Sequence, residues 1–184
     1  MAAQPAYSIL ATGYVVDGTD ILEGRGTFEM SPNADVEAAK AALAEAGYPD
    51  GEGLPTIQLS FYSDDTVKKV AEAIQEMWET NLGIDVEVTS ADWAVFYDSV
   101  QNGNYDVAAM GWSADYVNPM SFLPLLVTGD VTNTSFYSNP DYDAMVEQIK
   151  VEKDSSAFAQ MVKEADELVS SDYPVMPLYS KADT

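Results

Sequence analysis

The sequence contains neither cysteine nor histidine among its 184 residues, and Arg25 is its only arginine. The missing cysteine excludes disulfide bonds and thiolate nucleophiles, while the missing histidine excludes Ser-His-Asp triads and Cys/His zinc sites. No phosphate-binding loop, dinucleotide fingerprint or nucleophile-elbow motif is found. We therefore predict no catalytic residue, no cofactor and no metal site, although carboxylate oxygens that suit calcium are plentiful.

Positive charge is scarce, with 8 Lys and Arg residues against 31 Asp and Glu residues and a formal net charge of −23. This balance disfavours nucleic acids, anionic membranes and phosphorylated ligands, and it favours a ligand that carries a cationic group. Apolar runs are far shorter than the roughly eighteen residues that span a bilayer. The first residues lack the basic and apolar regions of a signal peptide, so we expect a cytosolic protein or a segment of a longer precursor.

The chain divides into two stretches by its patterning. Residues 1–30 contain several glycines and no sustained periodicity, so we expect an extended segment that packs on the remainder. Residues 31–184 alternate between strand-like and helix-like segments, which predicts an α/β lobe and a single domain overall.

Three strands separated by two helices are predicted in the middle third: Ile57–Tyr62, about 84–88 and about 105–112. Strands joined by helical crossovers are normally parallel neighbours. The predicted fold is therefore a small, mainly parallel, mixed sheet flanked by helices. A last strand over residues 173–179 is expected to return to the edge of this sheet, because Pro174 and Pro177 confine it there.

An aromatic residue and a carboxylate follow each predicted strand, at the edge where open parallel sheets bind ligands. These residues are Tyr62 and Asp64 after the first strand, Asp92 and Trp93 after the second, and Trp112, Asp115 and Tyr116 after the third. Such an edge suits a ligand that combines a positive group with flat or apolar parts, and it would also suit a sugar.

Structural roles compete with binding at these positions. Asp64 and Asp92 are expected to cap the helices that follow them. Asp115 lies too far ahead of Pro119 to cap a short helix predicted there, which leaves an Asx-turn or a ligand contact. Trp93 and Trp112 stand at element boundaries, where both a core position and a site position are open.

Several motifs of this chain resemble the dipeptide/oligopeptide-binding family of bacterial solute-binding proteins, and they occur in the order of that family. The motifs are Asp35–Tyr48, Ile74–Trp78, Asn81–Ile84, Asp92-Trp93, Gly103–Val107, Gly111–Tyr116, Tyr137–Asp143 and Pro174–Tyr179. The resemblance implies one lobe, the second, of a periplasmic-binding-protein-like clam shell that closes on its ligand.

The partners and location also follow from the resemblance. They are a peptide or other small solute, the permease of an ABC importer in the membrane and a first lobe of the same protein. The resemblance further implies an extracellular or periplasmic, membrane-tethered protein that is monomeric and has no enzymatic activity.

The resemblance assigns roles to particular residues as well. It implies that Asp115 binds the α-ammonium of the ligand and that Trp112 and Trp93 line side-chain pockets. The backbone around Gly111 and Ser113 would pair with an extended peptide, and Tyr116 completes the motif. Some members have an arginine two residues before the glycine for a peptide carboxylate, but this chain has Ala109.

Two other functions remain open at this point: an oligosaccharide or other solute as the ligand, and a carboxylate-dependent hydrolase that uses Asp115. A lone lobe leaves one face of its ligand in water, where an ion pair contributes only about 0–1 kcal/mol. We therefore predict millimolar affinity or none for these 184 residues.

Overall fold

The structure is a computed structural model that describes residues 4–11, 13–16, 18–23 and 34–180. Its contacts divide these residues into two compact units. The first, called the sheet unit, is the described part of residues 33–111; the second, called the helical unit, is the described part of residues 1–32 and 112–184. The predicted boundary at residue 30 does not coincide with this division, and a single ligand-binding lobe made of both units stays a prediction.

The sheet unit contains three parallel strands, and the first of them in chain order lies between the other two. Its elements in chain order are α1 (Val36–Glu45), β4 (Ile57–Tyr62), α2 (Asp65–Leu82), β5 (Val86–Ala91), α3 (Trp93–Gln101) and β6 (Val107–Ala109), numbered after three short N-terminal strands. The register aligns Ile57 with Val86 and Leu59 with Val107. The predicted α/β fold with a small parallel sheet flanked by helices is confirmed, although β6 is shorter than the predicted 105–112.

The helix α2 packs on the sheet through residues that recur at helical spacing. Val67, Ala71 and Ile74 are buried, and they share a cluster with Leu59 and Phe61 of β4. Because residues three and four apart lie on one face of a helix, this stripe meets the apolar side chains of the strand.

The C-terminal end of α2 requires two glycines. Gly83 ends the helix in the left-handed conformation, with φ of +69°, and a Cβ there would lie 2.8 Å from the Asp50 carbonyl oxygen. A Cβ on Gly51 would lie 2.7 Å from the Gly83 carbonyl oxygen. The two backbones therefore approach too closely for any larger residue.

The helical unit is built around α4 (Pro140–Ile149) and α5 (Ser155–Asp172), with two 3₁₀ turns at Pro119–Ser121 and Leu123–Leu126. Its core contains apolar side chains from both helices, both turns and the N-terminal segment, among them Leu10, Tyr14, Ile21, Leu123, Tyr142, Val146, Val162 and Val169. Described residues of the N-terminal segment thus contribute to this core, and the predicted packing of residues 1–30 on a lobe of residues 31–184 stays a prediction.

Short strands join the two ends of the described chain. β1 (Gln4–Pro5) pairs antiparallel with β7 (Tyr179–Ser180), and β2 (Val15–Val16) pairs with β3 (Thr19–Asp20). The prediction that the last strand returns to the parallel sheet was therefore wrong. Beside this pairing, the Ala6 N–H donates to the Leu178 carbonyl oxygen at 3.2 Å. Pro174 and Pro177 lack the N–H that a longer ladder would require.

The short helix predicted after Asn118 is instead the pair of 3₁₀ turns. Asn118 does accept a hydrogen bond from the Met120 N–H at 2.9 Å, as a capping residue does. Within the residues that the structure describes, none of the helices combines the length and the hydropathy needed to cross a membrane.

Candidate ligand-binding site

An aromatic cluster marks the carboxyl edge of the sheet unit. Tyr62 is the last residue of β4, and Trp93 is the first residue of α3. Their ring centroids lie 5.3 Å apart in an edge-to-face arrangement. Tyr97 stacks on Trp93 at 5.3 Å with an interplanar angle of 15°, and Phe96 approaches the Trp93 ring to 6.0 Å. These geometries are favourable for aromatic pairs.

The spacing in α3 explains why one ring is exposed and another is buried. Phe96 points into the unit and is 2% exposed, whereas Trp93 is 50% exposed. Tyr97 lies one turn after Trp93, so the two side chains meet on one face of the helix. Trp93 therefore takes an intermediate position: it packs on its neighbours and keeps half of its surface in solvent.

Asp64 and Asp92, the two aspartates at this edge, differ in whether their side chains cap the helix that follows. The Asp64 carboxylate accepts hydrogen bonds from the N–H groups of Thr66 and Val67 at 2.8 and 2.9 Å, so its predicted capping role is confirmed. Asp92 occupies the N-cap position of α3, but its side chain makes no capping hydrogen bond. The capping expectation for Asp92 was therefore wrong for its side chain, which is exposed.

Residues 112–121 of the helical unit form a loop closed by its own hydrogen bonds. The indole Nε1–H of Trp112 donates to the Ser121 carbonyl oxygen at 2.8 Å. The Ser121 hydroxyl donates to the Tyr116 carbonyl oxygen at 3.0 Å, and the Asn118 N–H donates to the same oxygen at 2.8 Å. These hydrogen bonds link the beginning of the loop to its end, while Trp112 remains 42% exposed.

Asp115 lies in the middle of this loop with its side chain exposed. Among the residues that the structure describes, no hydrogen bond or ion pair engages its carboxylate, so the alternative of an Asx-turn is not what the structure shows. Tyr116 is also exposed, at 54%. Burial, and to a smaller extent nearby Tyr116, raise the pKa of the Tyr14 phenol above its usual value.

Gly111 and Ser113 flank Trp112, and both are exposed. A Cβ built on Gly111 meets no atom within 4 Å, so no neighbouring residue of the chain accounts for a glycine there. Space is thus available for a ligand backbone, and the predicted pairing of this stretch with a peptide stays a prediction.

The structure brings the predicted site residues together in two groups. Trp112, Ser113, Asp115 and Tyr116 share the loop of the helical unit, while Trp93 joins the aromatic cluster of the sheet unit and Gly111 ends that unit. The prediction of one site that contains both tryptophans stays a prediction.

Two contacts of the predicted site residues were not predicted from the sequence. Tyr97 stacks on Trp93, and this contact could have been predicted because the two residues lie four apart on a helix. The hydrogen bond from Trp112 to the Ser121 carbonyl oxygen could not have been predicted from the sequence, because every residue has a carbonyl oxygen.

The sheet unit also contains a groove of about 560 Å³ between α2 and β5. Its lining includes the charged residues Lys68, Glu72 and Glu87 and the apolar residue Phe61. None of the predicted site residues lines this groove. In the described part of the chain, no group of three or more acidic residues is arranged to hold a metal ion.

Comparisons with known proteins identify the relatives of this chain. The family described as bacterial extracellular solute-binding proteins, family 5 (middle), matches residues 2–134. The oligopeptide-binding protein OppA of Bacillus subtilis is 35% identical over 155 residues, which cover 82% of this chain and 28% of that protein. The periplasmic oligopeptide-binding protein OppA of Escherichia coli is 35% identical over 176 residues, covering 95% of this chain and 32% of that protein.

A solved structure of an oligopeptide-binding protein is also similar to this chain. Haemophilus influenzae OppA in complex with the peptide RPPGFSPFR superposes with a TM-score of 0.84 at 30% identity, over 96% of this chain and 34% of that one. The chain thus spans about a third of the length of these relatives. The resemblance noted in the sequence is confirmed, and the chain belongs to family 5 of the bacterial extracellular solute-binding proteins.

Proposed function

We propose that this chain is one lobe of the solute-binding component of an ABC importer and that it binds peptides through their α-ammonium group. The observation that carries the proposal is the exposed Asp115 carboxylate, which has no partner among the described residues and lies in a loop closed by its own hydrogen bonds. Because hydrogen bonds hold other parts of this loop, an ammonium ion that pairs with Asp115 has to order little more than the exposed side chain.

The surroundings of Asp115 add apolar contact. The exposed rings of Trp112 and Tyr116 lie in the same loop and can pack against the flat backbone of a peptide. The named peptide-binding relatives agree with this ligand class. The family consists of solute-binding proteins, and we propose that this chain likewise catalyses no reaction.

The remaining partners belong to the same proposal. A protein about three times as long would supply the other lobe, which covers the open face of the ligand, and a membrane permease would receive the ligand. We propose an extracellular or periplasmic location with a membrane tether in the full-length protein, and a monomeric state. Since the Asp115 carboxylate is exposed to water in this lobe, we expect millimolar affinity for a short peptide.

Nuclear magnetic resonance titration of the chain tests this function. The probe is tri-alanine, its matched control is N-acetyl-tri-alanine, and the signal is the Trp112 indole N–H. We expect tri-alanine to shift this signal with a millimolar dissociation constant. Acetylation or Asp115→Asn should weaken binding by about two- to fivefold, because this ion pair is expected to contribute about 0.5–1 kcal/mol.

Asp141→Asn is the control substitution, because Asp141 is exposed in the first turn of α4 of the same unit. It should leave the affinity unchanged. The proposal fails if tri-alanine shifts no signal at millimolar concentration, or if acetylation has no effect. A shift caused by maltotriose alone would instead indicate an oligosaccharide receptor, and hydrolysis of a substrate that Asp115→Asn abolishes would indicate an enzyme.

A further inference from the structure

The strand β5 forms an edge of the parallel sheet, because among the described residues it pairs only with β4. The Ile57 N–H of β4 donates to the Asp85 carbonyl oxygen at 2.9 Å, so the odd-numbered residues of β5 direct their backbone groups toward β4. Since these directions alternate along a strand, the N–H and C=O groups of Val86, Val88 and Ser90 are directed away from the sheet.

The helix α2 covers only the first of these three residues. The Gln75 side-chain amide donates to the Val86 carbonyl oxygen at 2.8 Å, and the Val86 N–H donates to the Glu79 carboxylate at 3.4 Å. In the described part of the chain, no hydrogen bond reaches the outward backbone groups of Val88 and Ser90. Two consecutive rungs of this edge are therefore open to a further strand.

These open backbone groups border the groove between α2 and β5. Val88 and Ser90 line the groove together with Phe61 of β4 and with Lys68 and Glu72 of α2. Val88 is half-buried and Ser90 is exposed. An extended polypeptide is the partner that this edge fits, because a polypeptide offers alternating N–H and C=O groups along its length.

The charge of this surface selects the kind of polypeptide. Lys68 lies 3.7 Å from Glu72, and both side chains are exposed. Glu87 of β5 is also exposed, and it has no ion pair among the described residues. Residues 33–111 contain fifteen Asp and Glu residues against three lysines and no arginine. Like charges therefore disfavour a second copy of this chain at the edge, and a segment rich in lysine or arginine is favoured.

We propose that the open edge of β5 binds an extended, basic segment of a partner protein as an added strand. The backbone groups of Val88 and Ser90 hold the segment, and its cationic side chains lie near Glu87. Gln75 and Glu79 already occupy the edge at Val86, so the added strand ends there. This interaction goes beyond the function proposed above, because it uses neither Asp115 nor an α-ammonium group.

The probe is acetyl-Arg-Val-Arg-Val-Arg-amide, whose blocked ends leave no α-ammonium group for Asp115. Amide hydrogen exchange, followed by nuclear magnetic resonance, reports on the edge residue by residue. We expect the peptide to slow the exchange of the Val88 and Ser90 amides and to change that of Val86 little. The same peptide N-methylated at every residue should bind about fivefold more weakly or less, because it lacks the backbone donors. The acidic peptide acetyl-Glu-Val-Glu-Val-Glu-amide should also bind more weakly.

Substitutions test the backbone and the charge separately. Val88→Pro removes an outward N–H without removing a hydrogen bond to β4, so it should abolish the protection of the Ser90 amide. Glu87→Lys should weaken binding of the basic peptide by about two- to tenfold, since it replaces an attraction by a repulsion. Glu45→Lys makes the same change of charge at an exposed position of α1 outside the groove, and it should weaken binding less.

Several results would overturn the proposal. They are equal binding of the N-methylated or the acidic peptide, undiminished protection in Val88→Pro, and protection of Val88 and Ser90 that rises with protein concentration without peptide, which would indicate a second copy. Thermal unfolding shows whether each variant is folded, and the comparison of peptides on the unsubstituted chain decides the matter if Val88→Pro is not. None of these results affects the function proposed above, and Asp115→Asn should leave binding of the blocked basic peptide nearly unchanged.

Discussion

Polar groups are distributed differently between the two units of this protein. The four buried polar residues of the described chain, Ser8, Ser121, Asn133 and Asp166, all belong to the helical unit. The buried side chains described in the sheet unit are apolar. The helical unit therefore depends on directional hydrogen bonds, such as the one that the Ser8 hydroxyl donates to Asp166, whereas the sheet unit depends on close packing.

The same contrast appears in how each unit presents a tryptophan. Trp112 donates a hydrogen bond from its indole to a backbone carbonyl, whereas the contacts of Trp93 with described residues are ring contacts. Removal of a single donor atom destabilises a fold that depends on hydrogen bonds, whereas a fold that depends on packing is destabilised by the removal of side-chain volume. Three experiments test whether this difference holds.

The largest effect is expected from Phe96→Ala in the sheet unit. Phe96 is buried beneath Trp93 and Tyr62, so its truncation leaves a cavity and should reduce the free energy of unfolding by about 3–5 kcal/mol. Urea denaturation measures this loss. Val95→Ala on the same helix, at a position that is 63% exposed, should change the free energy of unfolding by less than about 0.5 kcal/mol. Equal losses in the two variants would show that packing beneath Trp93 is not what stabilises this unit.

A smaller loss is expected from Tyr142→Phe in the helical unit. The fully buried Tyr142 hydroxyl donates to the Leu123 carbonyl oxygen at 2.8 Å, and its removal leaves that oxygen without this partner. The expected cost is about 1–3 kcal/mol in urea denaturation, although the side chain hardly changes in volume. Tyr7→Phe, at a position 39% exposed in the same unit, is the control and should be near neutral. A neutral Tyr142→Phe would contradict the dependence on hydrogen bonds.

The smallest effect is a dependence of stability on pH in the helical unit. Burial, and then the hydrogen bond to Asp172, raise the pKa of Tyr137 to about 12. Because the folded-state pKa lies above the unfolded value of about 10, the stabilisation is fully present below about pH 10 and is lost as the pH rises through about 12. The hydrogen bonds from Tyr137 and Asn139 lower the pKa of Asp172, so its contribution is lost only as the pH falls through that lowered pKa.

Urea denaturation from about pH 8 to about pH 12 measures the alkaline loss. Tyr137→Phe should flatten part of the decline, since it removes the titrating phenol and its hydrogen bond at 2.6 Å to Asp172. An identical decline in both proteins would assign the alkaline loss to other groups.

Capping side chains mark the starts of four α-helices in the described part of the chain. Asp35, Asp64, Asn139 and Asp154 each accept a hydrogen bond from a backbone N–H of the helix that follows. The order of strands and helices from β4 to β6 was predicted from alternation and helical spacing. These features depend on interactions within a few residues, so the sequence is sufficient to locate them.

The candidate site was only partly predictable. The exits of the strands indicated Trp93, Trp112 and Asp115, because the carboxyl edge of a parallel sheet follows from strand order. The stacking of Tyr97 and the open carboxylate of Asp92 were not predicted. The open carboxylate of Asp92 depends on its side-chain conformation at the start of α3, which the residue type does not specify.

The amino-acid sequence by itself determined the fold class, the places where helices begin and the family, since these follow from periodicity, capping residues and ordered motifs. Tertiary structure decided that β7 pairs with β1, that Trp112 donates to Ser121 and that buried polar residues gather in one unit. The physical reason is that backbone partners distant in sequence carry no residue-specific signal, so only the folded arrangement selects among them.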